Sequence, residues 1–270
     1  MKLRLYFWQE KRDNGKENYG DLMSKYLVEK ISKKKVITVT HPSNRLYKHL
    51  FKHYLAIGSI ISSANKNSIV WGSGIIKKDE NIREAKFLAV RGPKTRKRIL
   101  EKGFDCPEIY GDPALLMPNY FKPQIDKQYK IGIVPHYVDY KAIKESFKKN
   151  SSVKIINLLT NDVEQTTKEI LQCHQIVSSS LHGVIVSQAY NIPALWLQFS
   201  NKLSGDNIKF YDYYESVGVP FKEGIFIEPE NLNESLIEKL LKNNKHVLLA
   251  DDLLLEQRKN DLLESCPFLN

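Results

Sequence analysis

Short apolar runs separated by amphipathic helical patterns occupy the first half of the chain. Residues 2 to 8 alternate between apolar and charged positions as a strand should, and from Asn18 onward the apolar side chains recur at helical spacing. A further helix starts near Pro93, where a first-turn proline is tolerated, and stops at Gly103. Four apolar runs followed by Gly, Ser or Pro are typical of strands buried in a parallel sheet: Val36 to Val39, Tyr54 to Ile57, Ile69 to Trp71 and Phe87 to Val90.

The second half repeats this alternation after a proline-rich stretch between Gly111 and Lys130. The pattern predicts strands at 130–134, 153–157, 175–178 and 194–198, and helices at about 139–149, 162–173 and 182–190. Two amphipathic helical patterns follow from Asn231, with no strand after them.

These patterns predict an α/β fold with two Rossmann-like domains that face a cleft. We place the N-terminal domain at residues 1–122 and the C-terminal domain at 123–230. The helices over 231–270 are expected to pack back across both. Ligands of such sheets bind at the carboxyl ends of the strands, so the cleft is the expected site.

Composition agrees with a globular protein of ordinary type. The chain has 270 residues, of which 42% are hydrophobic and 27% charged, and this excludes a disordered or fibrous chain. No apolar run approaches the length of a membrane span, and no signal-type stretch follows the first residues. The three cysteines, Cys106, Cys173 and Cys266, are odd in number and far apart, which predicts reduced thiols and a cytoplasmic location.

The net charge of +10 favours an anionic partner, such as nucleic acid, a phosphorylated metabolite or an acidic lipid headgroup. Nucleic-acid binding would need basic residues concentrated on one face together with aromatic residues. The lysines are scattered instead, so we predict no nucleic-acid partner.

The strongest local signal is the turn from Ser178 to Gly183, which contains Ser179, Ser180, Leu181 and His182. A buried strand there gives way to a helix, so backbone N–H groups and the positive helix end meet hydroxyl groups and an imidazole. Such a turn suits a phosphate or a carboxylate. The alternative is that the serines only cap the helix and that His182 is a buried, hydrogen-bonded histidine.

Other candidates lie at strand ends or helix starts. His136 follows the strand at 130–134, and two histidines on one rim could divide acid and base catalysis, although a packing role explains His136 equally well. Asp21 either acts in the site or caps its helix. Arg91 at a strand end is a candidate anion contact, and none of the glycine pairs nearby forms a dinucleotide fingerprint or a P-loop.

Aromatic side chains beside charges mark the segment from Lys209 to Gly218. Sugars bind to surfaces of this kind through ring stacking and paired hydrogen bonds. A helix with Tyr213 and Val217 turned inward would produce the same sequence, and both interpretations stay open.

These residues together resemble the polysaccharide pyruvyl transferase family over about residues 1 to 220. The resemblance rests on the stretch from Asn18 through Tyr19 and Gly20 to Asp21, on glycine landmarks, and on the serine-leucine-histidine-glycine turn. The glycine landmarks are Gly58, Gly72 to Gly74, Arg91-Gly92 and Tyr110 to Ala114. The stretch Pro135-His136-Tyr137 is similar to the form in an exopolysaccharide ketalase-like subgroup.

The resemblance implies a fold like that of B-type glycosyltransferases and transfer of the pyruvyl group of phosphoenolpyruvate to two hydroxyls of a sugar in a bacterial surface polysaccharide or exopolysaccharide. Phosphoenolpyruvate would be a co-substrate, with no separate cofactor and no metal. The expected catalytic residues are His182, on the donor phosphate and as proton donor, with His136 or Asp21 as second participant. The expected donor contacts are Ser178, Ser179, Ser180, Leu181, Gly183, Arg91 and Lys209. The expected acceptor contacts are Asn18, Tyr19, Gly20, Asp212, Tyr213 and Tyr214.

One departure from the family pattern affects the donor site. The family turn commonly carries arginine where this chain has Ser180, so Arg91, Lys209 or another basic residue must replace its charge, or the chain binds another donor or is inactive. The main alternative is a nucleotide-sugar glycosyltransferase of the same architecture. That enzyme would need a ribose-binding acidic residue, and residues 183–194 contain none. A lipid-linked acceptor would bring the protein to the inner face of a membrane.

Overall fold

The computed structural model describes residues 2–10, 15–41, 51–148, 152–221 and 223–269. The elements of the first half are β1 (Leu3–Tyr6), β2 (Glu17–Asn18), α1 (Tyr19–Ser32), β3 (Val36–Thr38), β4 (His53–Leu55), β5 (Ser68–Trp71), β6 (Lys86–Ala89), α2 (Pro93–Glu101) and α3 (Met117–Tyr120). The remaining elements are β7 (Tyr129–Val134), α4 (Tyr140–Ser146), β8 (Val153–Ile155), β9 (Leu159–Thr160), α5 (Val163–Leu171), β10 (Cys173–Ser178), α6 (Leu181–Ala189), β11 (Ala194–Gln198), α7 (Ile208–Ser216), β12 (Ile225–Phe226), α8 (Glu234–Asn243) and α9 (Asp252–Glu264).

Two five-stranded parallel sheets organise the molecule, which confirms the predicted α/β class. The first has the order β3-β1-β4-β5-β6, and the second, read from its β8 edge, has the order β8-β7-β10-β11-β12. Counted along the chain within each sheet, both orders are 2-1-3-4-5. In each sheet the strand order therefore reverses between the first and third strands, and such a switch point is where ligands of doubly wound sheets bind.

The apolar runs of the sequence form the strands because both faces of each sheet are covered. Ile131 and Ile133 of β7 and Ile176 and Val177 of β10 are fully buried. A strand covered on both faces needs consecutive apolar residues, so it appears in the sequence as an uninterrupted apolar run. The three cysteines are likewise buried, and each carries a free thiol.

Helix α1 joins the two sheets. The Tyr19 N–H donates to the carbonyl oxygen of Leu158 at 2.8 Å, and the Tyr19 and Thr167 hydroxyls are hydrogen-bonded at 2.8 Å. Strands β2 and β9 pair antiparallel beside these contacts. Buried apolar residues of both sheets belong to one contiguous core, so the two sheets are held in a fixed relation by packing as well as by hydrogen bonds.

The C-terminal helices pack back over both sheets, as the sequence predicts. After α8, the Leu248 carbonyl accepts from the Ala194 N–H of the second sheet at 2.8 Å. Helix α9 reaches the first sheet, where the Trp71 indole N–H donates to the Leu262 carbonyl at 3.0 Å. Phe268 then packs edge-on against the Trp71 ring. Among the described residues, no helix has the length and apolar character needed to cross a membrane.

Candidate functional site

A pocket of about 420 Å³ lies where the carboxyl ends of the two sheets meet. Its lining includes Trp8 after β1 and Gly58 after β4, the two strands at the switch point of the first sheet. It also includes His136 after β7 and Ser180 after β10, the two strands at the switch point of the second sheet. The switch points of both sheets therefore open into one pocket, which is the location expected for a ligand.

The turn before α6 contains three serines with different roles. The hydroxyls of Ser178 and Ser179 make hydrogen bonds within the protein, whereas Ser180 lines the pocket. Ser178 is fully buried; its hydroxyl donates to the Val134 carbonyl at 2.8 Å and accepts from the Ser180 N–H at 3.0 Å. The Ser179 hydroxyl is buried too and accepts the His136 N–H at 2.8 Å. Ser180 holds the N-cap position but makes no side-chain cap, so the first-turn amides of α6 meet no capping side chain at the pocket.

His182 sits in that first turn and lines the pocket with 13% of its side chain exposed. A Cβ atom at Gly20 would come within 2.1 Å of its Nδ1, so only glycine at position 20 allows the imidazole ring to lie this close to α1. On the other edge of the ring, Nε2 lies 3.6 Å from Oδ2 of buried Asp112. Both of these atoms are buried and make no hydrogen bond among the described residues, and Asp112 uses its other oxygen to accept from the Ala114 N–H.

Asp21 lines the pocket on α1 and does not cap that helix. Asn18 caps it instead, because its side-chain oxygen accepts the Gly20 N–H at 2.9 Å. Burial raises the pKa of the Asp21 carboxyl to about 7, although the positive charges of His182 and Lys209 oppose the rise. A carboxyl group in this state can gain or lose a proton at neutral pH.

Lys209 faces the same pocket from the first turn of α7. Burial lowers the pKa of its ammonium group to about 8, with a further contribution from Arg91 and an opposing one from Asp21. No ion pair forms at Lys209 within the described part of the chain. A cation with no carboxylate partner is suited to an anionic ligand.

Arg91, the other predicted cation, does not reach the pocket. Its side chain is 0% exposed, and its Nε donates to Oδ2 of equally buried Asp212 at 3.1 Å. Its two terminal nitrogens donate to the Ser59 hydroxyl and the Ile75 carbonyl. Asp212 also accepts from the Thr95 N–H and hydroxyl, so this cluster caps α2 and fastens it to α7.

The structure also moves the predicted acceptor contacts of α7 and α1 into the core. Tyr213 is fully buried and donates its hydroxyl to the Gln188 side chain at 2.8 Å, and Tyr214 is buried beside Phe221. The inward-facing alternative for this helix is therefore the correct one. Tyr19 is buried between the sheets, and Gly183 packs on Ser178 and Val134, so neither contacts the pocket.

The sequence does not predict two residues of the pocket lining, Trp8 and Glu10, or the buried carboxylate beside His182. In the sequence Asp112 stands out only as part of the family pattern, although an acidic residue before Pro113 at the start of a 3₁₀ helix is a local signal. Trp8 and Glu10 follow β1 and line the pocket. The alternating pattern of residues 2 to 8 predicts a strand that includes Trp8, so the sequence gives no sign that Trp8 lines a pocket. No group of three or more His, Cys, Asp or Glu side chains among the described residues could hold a metal ion.

One family model and two curated proteins match most of this chain. A model of the polysaccharide pyruvyl transferase family matches residues 7–201. An uncharacterized protein of Acanthamoeba polyphaga mimivirus is 36% identical over 215 residues, which are 75% of this chain and 71% of that protein. The succinoglycan biosynthesis protein ExoV of Rhizobium meliloti is 24% identical over 228 residues, which are 82% of this chain and 66% of that protein.

Proposed function

Because this chain belongs to the polysaccharide pyruvyl transferase family, a family of transferases, we propose that it moves the pyruvyl group of phosphoenolpyruvate onto two hydroxyls of a sugar and releases phosphate. The name of the Rhizobium relative refers to succinoglycan biosynthesis, and this supports a sugar within a polysaccharide repeat unit as the acceptor.

The observation that carries the proposal is the convergence of Asp21, His182 and Lys209 on one pocket at the facing switch points. Each of the three comes from a different helix start, so a ligand in the pocket meets a carboxyl group, an imidazole and an ammonium group together. This set matches a reaction that needs an anion held in place and protons moved.

The donor would bind at the first turn of α6. Phosphoenolpyruvate carries a phosphate and a carboxylate, and the uncapped amides of that turn are suited to one of them. Lys209 would hold the other and would supply the positive charge that family members commonly place at the position of Ser180. Arg91 is excluded from this role because its charge is paired with Asp212.

The proposed reaction needs proton transfer both to the donor and from the acceptor. A proton added to the donor methylene makes a methyl group and leaves a carbocation-like carbon, which one sugar hydroxyl attacks. Phosphate then leaves, and a second hydroxyl of the same sugar closes the ketal. Two hydroxyl protons are released, of which one replaces the proton given to the methylene and the other leaves with the phosphate.

His182 and Asp21 would move these protons. Asp112 would act as a positioning residue that faces Nε2 of His182, while Gly20, which has no Cβ atom, lets the imidazole ring pack closely against α1. Asp21, whose carboxyl pKa is raised to about 7, is able to accept a hydroxyl proton and to return it. His136, which also lines the pocket, is the alternative second participant.

The equal strand orders of the two sheets support an architecture like that of B-type glycosyltransferases. In this proposal residues 1–122 carry the acceptor and 123–230 the donor. A lipid-linked acceptor would bring the protein to the inner, cytoplasmic face of a membrane.

The test is phosphate release from phosphoenolpyruvate in the presence of galactoside, glucoside or mannosamine-type acceptors. We expect His182→Gln to slow release by about 10²- to 10⁴-fold, because the proton donor is lost. His174→Gln is the matched control, because His174 lies exposed at the opposite end of β10 and its change should leave the rate as it is.

Two results would contradict the proposal. Release that is unchanged in His182→Gln would remove the catalytic assignment. A melting temperature that rises with nucleotide-sugars but not with phosphoenolpyruvate would favour the glycosyltransferase alternative.

A further inference from the structure

The loop between β11 and α7, residues 199–207, brings a second cation to the pocket. Lys202 lines the pocket, is exposed, and makes no ion pair with the residues that the structure describes. Lys209 follows in the first turn of α7, so both of these lysines come from one connection after the second sheet.

A buried carboxylate fixes the beginning of this loop. Asp139 is 3% exposed, and its Oδ1 accepts a hydrogen bond from the Ser200 hydroxyl at 2.6 Å. The Ser200 Oγ in turn accepts the backbone N–H of Lys202 at 3.2 Å. The backbone of Lys202 is therefore held by Asp139 through a single serine.

The second oxygen of Asp139 makes the same arrangement with another part of the pocket. Its Oδ2 accepts from the Ser179 hydroxyl at 3.3 Å, and the Ser179 Oγ accepts the backbone N–H of His136 at 2.8 Å. Buried carboxylate oxygens need hydrogen-bond donors, and here the donors are two hydroxyls that each hold the backbone of a residue lining the pocket. One buried side chain thus fixes two segments of the pocket wall.

The end of the loop is fixed by residues of the first half of the chain. The Lys78 N–H donates to Oδ2 of Asp206 at 2.9 Å. Gly205 has a φ of +98°, and a Cβ atom there would lie 2.5 Å from the carbonyl oxygen of Ile76, so only glycine allows the two segments to approach this closely. Lys202 lies between these two anchored points, and a loop ordered in advance loses less entropy when a ligand binds.

The proposed donor carries more negative charge than Lys209 alone would neutralise. A phosphate group carries about −1.5 to −2 charges at pH 7, and the carboxylate of phosphoenolpyruvate adds one more. Lys209 supplies one positive charge, and the first-turn amides of α6 supply only partial charges. Ser180 adds none at the position where family members commonly carry arginine. A second cation in the pocket is therefore expected.

We propose that Lys202 is a second donor-binding residue and that Asp139 is a positioning residue that holds it at the pocket. The inference rests on the proposed function, because only there is phosphoenolpyruvate the donor. Lys202 adds its positive charge to that of Lys209, and Ser200 connects its backbone to Asp139.

Calorimetric titration with phosphoenolpyruvate tests the role of Lys202. We expect Lys202→Ala to raise Kd by about tenfold, because a charge-assisted hydrogen bond to the donor is lost. Lys202→Arg keeps the charge, so its Kd should stay within about threefold of the wild-type value. Lys239→Ala is the matched control: Lys239 is exposed on α8 and does not line the pocket, so the same change in net charge should leave Kd as it is. An equal rise in Lys239→Ala would overturn the assignment of Lys202.

The positioning role is tested through Ser200. Ser200→Ala removes the link from Asp139 to Lys202 and leaves the link to Ser179 in place. We expect it to raise Kd by about three- to tenfold in the wild-type background and to have no further effect in Lys202→Ala, because both substitutions remove the same contact. Asp139→Asn should likewise have a smaller effect in Lys202→Ala than in the wild type. Effects of the same size in both backgrounds would show that Ser200 and Asp139 only stabilise the fold, and would overturn the positioning role.

The outcomes separate this inference from the proposed function. Phosphate release by the wild-type protein together with an unchanged Kd in Lys202→Ala overturns the inference and leaves the function standing. Lys202-dependent binding of phosphoenolpyruvate without phosphate release to any of the acceptors supports the inference and contradicts the transfer reaction. A wild-type protein that does not bind phosphoenolpyruvate overturns both.

Discussion

Helix α7 contributes to two charged clusters that behave in opposite ways. Asp212 joins Arg91 and Thr95 in a cluster with no exposed side-chain surface on its ion pair. Lys209, three residues earlier on the same helix, faces the pocket with Asp21 and His182. The two clusters have the same chemical ingredients, a carboxylate and a cation, and differ in whether each charge has a partner.

The hydrogen-bond partners of the charged groups explain why the two clusters differ. In the buried cluster both oxygens of Asp212 accept hydrogen bonds, and the Arg91 guanidinium donates three. In the pocket, burial raises the pKa of Asp21 to about 7 and lowers that of Lys209 to about 8. Charges that are buried and fully hydrogen-bonded hold a structure together, whereas partly buried charges without such partners are poised for a ligand.

Removal of one partner from the buried cluster should give the largest effect on stability. Asp212→Ala leaves the Arg91 charge buried and unpaired and removes the cap of α2, so we expect a loss of about 3–5 kcal/mol in the free energy of unfolding. Urea denaturation measures it, with Lys209→Ala from the same helix as control. A loss below about 1 kcal/mol would show that the cluster is not structural.

A substitution of the pocket carboxylate Asp21 should instead raise the free energy of unfolding. Asp21→Asn removes a carboxylate that burial disfavours, so the folded protein should become more stable at pH 8. A shift from 3.8 to about 7 corresponds to about 4 kcal/mol, and we expect roughly half because the Asp21 side chain keeps some solvent-accessible surface.

The sign of this effect depends on pH. The folded protein binds the Asp21 proton more tightly than the unfolded chain does, so wild-type stability falls as pH rises from about 4 to about 7. The gain in Asp21→Asn should therefore be absent at pH 4 and complete above pH 7. Unfolding at both pH values measures it, with exposed Asp105→Asn as control. Destabilisation of Asp21→Asn at pH 8 would contradict the comparison.

A smaller effect should appear in the binding of the donor at alkaline pH. The Lys209 ammonium loses its proton near pH 8, so the Kd for phosphoenolpyruvate should rise above that pH by up to about tenfold per pH unit. Arginine stays charged, so Lys209→Arg should move this rise to higher pH. Calorimetric titration between pH 7 and pH 10 is the measurement. An identical profile in both proteins would show that Lys209 does not contact the donor.

Most of the predicted strands and helices lie within a few residues of the observed ones, whereas β2, α3, β9 and β12 have no counterpart in the prediction. The predicted strand at 194–198 is the observed β11, and the predicted helix at 182–190 is α6 with its bounds shifted by one residue. Among the predicted elements the largest difference is α4, which ends at Ser146 where the pattern predicts a helix to about 149. Apolar periodicity depends on residues that are close together in the chain, and strands covered on both faces show it as clear apolar runs.

The candidate site was predictable only in part. The turn at Ser178 to Gly183 and the start of α1 were found because helix starts carry local signals, and they do meet at His182 and Gly20. Asp112 and Trp8 gave no decisive signal, since their roles depend on which distant segments lie beside them.

The amino-acid sequence by itself determined the strands, the helix starts and the groups able to carry charge, because each depends on neighbours a few residues away. The tertiary structure decided which of those charges are used. Arg91 and Asp212 are 121 residues apart in the chain and neutralise each other in the interior. Lys209 lines the pocket and makes no ion pair with the residues that the structure describes. Pairing between distant residues is settled only when the sheets pack.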